Sequence, residues 1–204
     1  MVFDLKTYAV LGTLTSLADS DGISYDAHLN LLLVSAGDSN ALITIKPDID
    51  PKGGKLDAPI MLGGAPEFFA SDGEGKVYVN LEDKNTVAVV DLPSRTVTAR
   101  WPVAPGGSPV GMSLDTSTHR LFVGCRKPQK LIVMSTKDGK VEASLPIGAG
   151  VDATAVHHGQ AFASCVDGTL AVAEEKAGKM EVVQTVKTPR GAARPNPLCS
   201  LPRD

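Results

Sequence analysis

Three acidic residues occupy one recurring position in the chain. Asp21, Glu67 and Asp152 each stand directly before a short apolar run with the pattern of a β-strand, and Val110 takes the same position before a fourth run. Carboxylates gathered around one axis could bind a cation or a positively charged ligand. Alternatively, each carboxylate accepts hydrogen bonds from backbone N–H groups of a neighbouring loop, because buried loop donors need partners. The recurrence therefore predicts a ligand-binding or cation-binding site, with loop capping as the alternative.

A basic cluster follows the apolar run 121–125. Arg126, Lys127 and Lys130 lie in a loop that we expect at the same end of the strands as the acidic position, together with loops 82–85 and 166–168. Three cations in one loop could meet an anionic ligand. A charge run in a loop is also typical of a solvated turn. We retain these residues as secondary, anion-binding candidates.

The histidines and cysteines indicate packing and exposed turns. The histidines fall in the turns after the first run of a unit, which should lie at the opposite end from the acidic position: His28, His119, His157 and His158. Metal sites need convergent ligands, so we predict no metal ligand among them. The cysteine number is odd and no CxxC spacing exists, which argues against a disulfide framework. Cys125 and Cys165 end equivalent runs, and we expect them to pack as small apolar groups.

Catalytic sequence motifs are missing from the chain. There is no G-x-S-x-G elbow, no P-loop, no G-x-G-x-x-G after a strand and no H-E-x-x-H. Asp48 and Asp50 are spaced like the opening of a calcium loop, but Pro51 follows and the later ligands are absent. We therefore predict no catalytic residue and no resident cofactor, and leave open a cation at the acidic position.

The elements that would position these residues are short strands. Residues 76–80, 86–91 and 96–101 are rich in Val, Tyr and Thr, and the gaps between them hold Asp, Asn, Pro and Ser. A fourth run, 67–71, precedes them. Four antiparallel strands in about forty residues is the size of one β-propeller blade.

The same unit recurs along the chain at intervals of about 45 residues. We place a partial unit at about 1–19, fuller units at about 20–64, 65–107, 108–149 and 150–193, and an irregular, proline-rich tail at 194–204. Residues 2–7 match residues 89–94, the middle of a unit, so the chain is expected to open inside a blade. We predict first strands at 22–25, 67–71, 110–114 and 152–156. The fold class is therefore all-β, a partial propeller of four-stranded antiparallel blades.

Composition excludes several classes of function. The chain has 204 residues, a net charge of -3 and 4% aromatic residues, so neither a basic footprint nor a stacking platform for nucleic acid is apparent. No apolar run is long enough for a transmembrane helix. Asp4 and Lys6 interrupt the start, which does not read as a signal peptide.

One unit resembles a known repeat. Tyr78, Val79 and Asn80, followed by the turn and strand at 83–91, are similar to the YVTN repeat of YncE-like β-propellers, although the threonine is absent. The resemblance covers about residues 2–190 and implies a seven-bladed ring, of which this chain would hold four to five blades. It also implies export to the periplasm or the outside of the cell.

The resemblance implies several functions, because related propellers are binding modules, surface proteins, lactonases and redox subunits. We predict a non-catalytic binding or scaffold module whose partner is a protein or a small molecule, joined by the remaining blades of a longer protein. The alternatives are a lactonase-like hydrolase and a redox accessory subunit, related to quinoprotein or nitrous-oxide-reductase propellers, that holds a quinone or haem elsewhere.

Overall fold

The protein is all-β. A computed structural model describes residues 1–15 and 19–191, which form four four-stranded antiparallel sheets and one two-stranded sheet. The helical content of this part is a single 3₁₀ turn, Glu82–Lys84. Each four-stranded sheet follows chain order from first to fourth strand, and the sheets are arranged like propeller blades. The predicted fold class is confirmed.

The strands are numbered in chain order. The two-stranded half-sheet comprises β1 (Val2–Phe3) and β2 (Val10–Gly12). The first blade comprises β3 (Gly22–Asp26), β4 (Leu31–Ala36), β5 (Ala41–Ile45) and β6 (Ile60–Met61). The second comprises β7 (Pro66–Ser71), β8 (Lys76–Leu81), β9 (Thr86–Asp91) and β10 (Thr96–Pro102). The third comprises β11 (Pro109–Asp115), β12 (Arg120–Arg126), β13 (Gln129–Ser135) and β14 (Val141–Pro146). The fourth comprises β15 (Val151–His157), β16 (Gln160–Cys165), β17 (Thr169–Lys176) and β18 (Lys179–Lys187).

Three apolar clusters hold successive blades together. Leu33 and Leu42 of the first blade pack with Val77 and Val79 of the second. Equivalent clusters join the second blade to the third and the third to the fourth. Burying one such side chain fully contributes roughly 1.5–3 kcal/mol. The sheets between two neighbours are thus covered on both faces, as in a propeller.

The first strands lie innermost, against one another. A Cβ added at Gly111 in β11 would stand 2.9 Å from the backbone of Ala153 and Thr154 in β15. Since such a contact requires a shift of backbone, only glycine allows these two strands to approach so closely. The starts of the first strands are therefore neighbours, which is what positions the candidate site.

The two buried cysteines have the predicted packing role. Cys125 and Cys165 are free thiols in the clusters that join the second blade to the third and the third to the fourth. Burial raises the pKa of the Cys125 thiol to about 12, so it stays protonated and unreactive at neutral pH. Cys199 and the tail predicted at 194–204 lie outside the described residues.

The half-sheet has the features of the outer strands of a blade. Asp4 accepts hydrogen bonds from the N–H groups of Lys6 (3.1 Å) and Thr7 (2.7 Å), just as Asp91 at the end of β9 accepts one from the N–H group of Ser94 (2.9 Å). Strands β1 and β2 thus correspond to the third and fourth strands of a complete blade. Among the described residues there is no helix of the length and hydrophobicity that crossing a bilayer requires.

Candidate ligand-binding site at the start of the first strands

A bulge at the start of three first strands shapes the site. In β7, β11 and β15 the pairing with the following strand shifts by one residue where Glu67, Val110 and Asp152 lie. A bulge leaves one residue out of the ladder and re-aims its side chain. Three of the four recurring positions found in the sequence therefore lie in a bulge, whereas Asp21 precedes β3, whose pairing with β4 has no shift.

A second recurring position lies beside the first. A residue at the end of each second strand donates its N–H to a carbonyl just before the first strand of the same blade: Gly37 to Asp19 (2.8 Å), Glu82 to Ala65 (3.0 Å), Arg126 to Ser108 (3.0 Å) and Val166 to Gly150 (3.0 Å). Each blade thus presents two residues at this end, one from each position.

Charged residues fill most of these positions. From the first blade to the fourth, the pairs are Asp21 and Gly37, Glu67 and Glu82, Val110 and Arg126, and Asp152 and Val166. We call the five charged members, Asp21, Glu67, Glu82, Arg126 and Asp152, the Arg126 cluster. All five are partly buried.

The guanidinium of Arg126 bridges two neighbouring blades. Its Nε donates to the carbonyl of Val151 (3.0 Å), and its Nη2 donates to Oδ1 of Asp152 (3.2 Å). Its Nη1 lies 4.0 Å from Oε1 of Glu82 in the preceding blade. Arg126 is therefore the counter-ion of carboxylates on both sides of the third blade.

Glu67 has the most perturbed carboxyl group of the cluster. Burial raises its pKa to about 7, assisted by the negative charges of Glu82 and Asp21 and opposed by Arg126. Its side chain is hydrogen-bonded to that of Glu82, an arrangement that needs a proton on one of the two carboxyl groups. At neutral pH the cluster is thus close to taking up or releasing one proton.

Other residues cap the neighbouring loops. Asp83 accepts a hydrogen bond from the N–H of Ala65 (2.8 Å), and Asp167 accepts one from the N–H of Ala149 (2.6 Å). Loop capping was the alternative role for the acidic position, and these two carboxylates perform it one residue beyond the second recurring position. Glu67 interacts with Glu82, and Asp152 accepts a hydrogen bond from Arg126.

The three basic candidates have different surroundings. The guanidinium of Arg126 lies among carboxylates, Lys127 is exposed, and Lys130 is a partly buried residue of β13 opposite Cys125. The structure therefore places Arg126 beside Asp152 and Glu82, in surroundings that Lys127 and Lys130 do not share. Their anion-binding role stays a prediction.

The histidines lie at the other end of the blades. His119 follows β11 and lines a groove with Asp72 and Tyr78, and the rings of His157 and His158 are in edge contact with centroids 4.0 Å apart. Across residues 1–15 and 19–191, no three His, Cys, Asp or Glu side chains converge in a way that could hold a metal ion.

Sequence reasoning overlooked two residues of the site. Glu82 was assigned only to a loop. Aligning the ends of the second strands shows that Glu82 holds the position in its blade that Arg126 holds in the next. Asn80 is fully buried, and its Nδ2 donates to the carbonyls of Val110 (2.8 Å) and Gly111 (3.1 Å) in the bulge of the next blade. An asparagine inside an apolar run was the available signal, because a buried amide needs partners.

Comparisons with known proteins show the fold. No family model matches the sequence, and no curated protein matches it. Among solved structures, hydrazine synthase of Kuenenia stuttgartiensis is 17% identical with a TM-score of 0.71, over 91% of this chain and 54% of that one. A streptogramin B lyase is 9% identical with a TM-score of 0.70, over 88% of this chain and 58% of the lyase.

A third similar structure belongs to a 6-phosphogluconolactonase-like protein from Bacteroides uniformis. It is 13% identical with a TM-score of 0.68, over 83% of this chain and 55% of that one. All three are β-propeller-type proteins, and this chain spans a little over half of their length. At such low identity the likeness establishes the fold alone.

Proposed function

We propose that this chain is a binding module of the β-propeller type whose Arg126 cluster takes a ligand bearing an ammonium or guanidinium group. One observation carries the proposal: Arg126 lies between Asp152 of the fourth blade and Glu82 of the second, and Glu67 beside Glu82 interacts with the charge of Asp21 in the first. Even with a proton on Glu67, the cluster has more carboxylates than cations, because Asp21, Glu82 and Asp152 remain beside the single guanidinium of Arg126. An incoming cation would therefore meet unbalanced negative charge in a partly buried setting.

The ligand would interact with the carboxylates of the Arg126 cluster, which outnumber its single cation. Hydrogen bonds to charged groups contribute about 1.5–3 kcal/mol each, more than those between neutral groups. A small cation making two of them would bind with a Kd of about tens of micromolar to a few millimolar. Further affinity would have to come from the rest of the ligand.

Calorimetric titration of the full chain tests the proposal. The probes are agmatine for an organic cation, calcium chloride for a metal ion and inorganic phosphate for the anion site at Arg126, Lys127 and Lys130. We expect agmatine to bind the wild type, and Asp21→Asn to weaken binding about tenfold by removing one charged partner. Glu181→Gln on the exposed strand β18 is the matched control and should bind as the wild type does. Equal agmatine affinities in all three proteins, or binding of phosphate alone, would contradict the proposal.

A hydrolase is the second candidate, and Glu67 favours it. A carboxyl group whose pKa is raised to about 7 by burial is suited to transferring protons at neutral pH. Hydrolysis of a lactone panel by the wild type and by Glu67→Gln separates the two candidates. Activity that Glu67→Gln abolishes and Glu181→Gln retains would establish catalysis. The redox role and the extracytoplasmic location rest on the family resemblance alone, and cell fractionation of the source organism checks the latter.

A further inference from the structure

Two carboxyl groups are held together by the backbone of the second blade. Pro66 pairs with Leu81, and the N–H of Glu82 donates to the carbonyl of Ala65 (3.0 Å). Glu67 and Glu82 directly follow the paired residues in the chain, and their side chains are hydrogen-bonded to each other. The first and third blades pack against the two faces of this sheet, so the contact is internal to the described fold.

The cations beside this pair are engaged with other carboxylates. Arg126 donates from Nη2 to Asp152 (3.2 Å), whereas its Nη1 lies 4.0 Å from Oε1 of Glu82, beyond hydrogen-bond distance. The Nζ of Lys84 lies 2.7 Å from Oδ2 of Asp83. Two carboxylates in contact repel each other unless a proton or a cation lies between them. A shared proton is therefore what holds this pair together.

The surrounding charges keep that proton in place near neutral pH. Burial, followed by the negative charges of Glu82 and Asp21, raises the pKa of Glu67 to about 7, and Arg126 opposes them. These charges come from the elements packed against β7: Asp21 precedes β3, Glu82 follows β8, and Arg126 ends β12. The start of β11 contributes the uncharged Val110, and β4 carries no charge. The proton is thus exchangeable within the physiological range.

We propose that a cationic ligand entering the Arg126 cluster replaces the proton shared by Glu67 and Glu82, so that one proton leaves for each cation bound. This inference rests on the proposed function, because it concerns the same ligand and the same site. The ammonium or guanidinium group would donate to both carboxylates, where the O–H of one now donates to the other. One positive charge enters the pair and one proton passes to solvent.

Ligand affinity and pH are then linked. Because the protein loses a proton when it binds, affinity rises with pH until the pair is already deprotonated. With a pKa of about 7, about a tenth of the molecules are in the binding form at pH 6 and about nine tenths at pH 8. The Kd of agmatine, whose own charges persist over this range, should therefore fall about tenfold from pH 6 to pH 8.

Calorimetry of the full chain measures the released proton directly. Agmatine is titrated at one pH in two zwitterionic buffers that differ in ionisation enthalpy, and the difference between the two heats gives the number of protons released. We expect about 0.8 proton per agmatine at pH 6.5 and about 0.1 at pH 8. Heats that are equal in both buffers at pH 6.5 would overturn the proton exchange.

Variants separate the proton from the rest of the site. Glu67→Gln can still donate to Glu82 but has no proton to release, so its Kd should be the same at pH 6 and pH 8 and about tenfold weaker than that of the wild type at pH 8. Asp21→Asn should weaken binding and still release a proton at pH 6.5. Glu181→Gln should match the wild type in both respects.

The outcomes distinguish this inference from the proposed function. Agmatine binding that is independent of pH and releases no proton would overturn the inference and leave the binding site standing, as would proton release that persists in Glu67→Gln. Failure of agmatine to bind the wild type at any pH would refute both. An NMR titration of the side-chain carboxyl carbons in the ligand-free chain supplies a second check: a midpoint for Glu67 below about 5.5 would overturn the shared proton whatever the ligand does.

Discussion

Replacing Glu67 by glutamine should remove a specific pH dependence of stability. The pKa of this carboxyl group is raised from 4.5 to about 7 in the folded protein, chiefly by burial and then by the charges of Glu82 and Asp21. The folded state thus keeps a proton that the unfolded state releases. This contribution to stability is fully present below pH 4.5 and is lost as the pH rises through 7.

The magnitude follows from the shift. A difference of about 2.5 pH units corresponds to at most about 3.4 kcal/mol, at about 1.36 kcal/mol per unit. Glu67 is only partly buried, so solvent screening lowers the value that we expect to roughly 1–2 kcal/mol. Glutamine has the same shape, carries no charge and can donate the hydrogen bond to Glu82 at any pH.

Urea unfolding between pH 4.5 and 8.5 measures this effect. The free energy of unfolding of the wild type should fall by about 1–2 kcal/mol more than that of Glu67→Gln across this range. The variant should equal the wild type near pH 4.5 and exceed it at pH 8. Glu181→Gln should follow the wild-type profile. Parallel profiles for wild type and Glu67→Gln would refute the assignment of a buried, proton-sharing carboxyl pair.

Three further substitutions test other parts of the structure by the same urea assay, with Glu181→Gln as control. Arg126→Met should destabilise the fold by roughly 1–3 kcal/mol at pH 7, because partly buried carboxylates lose their counter-ion, and less at pH 4.5. Asn80→Ala should cost about 1–3 kcal/mol, since the carbonyls of the next blade's bulge lose two buried hydrogen bonds. Gly139→Ala should cost more than about 1 kcal/mol, because the residue has φ +72° and its Cβ would stand 2.2 Å from the ring of Trp101. A loss under about 0.3 kcal/mol in any of them would show that the named contact contributes nothing to stability.

The strands were predictable from local pattern. In the second blade the sequence predicts strands at 76–80 and 86–91, and the structure has Lys76–Leu81 and Thr86–Asp91. Alternating Val and Tyr with Asn and Asp at the turns determine these elements without help from the rest of the chain. The match of residues 2–7 to 89–94 likewise located the half-sheet, because the Asp4 turn depends on neighbouring residues only.

The bulges were not predictable in the same way. A one-residue shift of the strand pairing at Glu67 or Asp152 does not alter the alternation of apolar and polar residues in the sequence. The shift depends on how closely the first strand of the neighbouring blade approaches. The contact of Arg126 with Asp152 depends on blade-to-blade geometry as well. Aligning the repeats predicts which residues lie at the same end of the blades. It does not predict which cation contacts which carboxylate.

The repeats separate the part of the site that is constant from the part that varies. The backbone hydrogen bond from the end of the second strand to the segment before the first strand is present in all four blades, whether the donor is Gly37, Glu82, Arg126 or Val166. The side chain at this position can therefore differ between blades while the backbone bond is kept. A single substitution at these positions would alter the charge of the cluster, so the ligand class should depend on a few residues of each blade. Arg126 has the greatest influence, because it faces carboxylates on both sides.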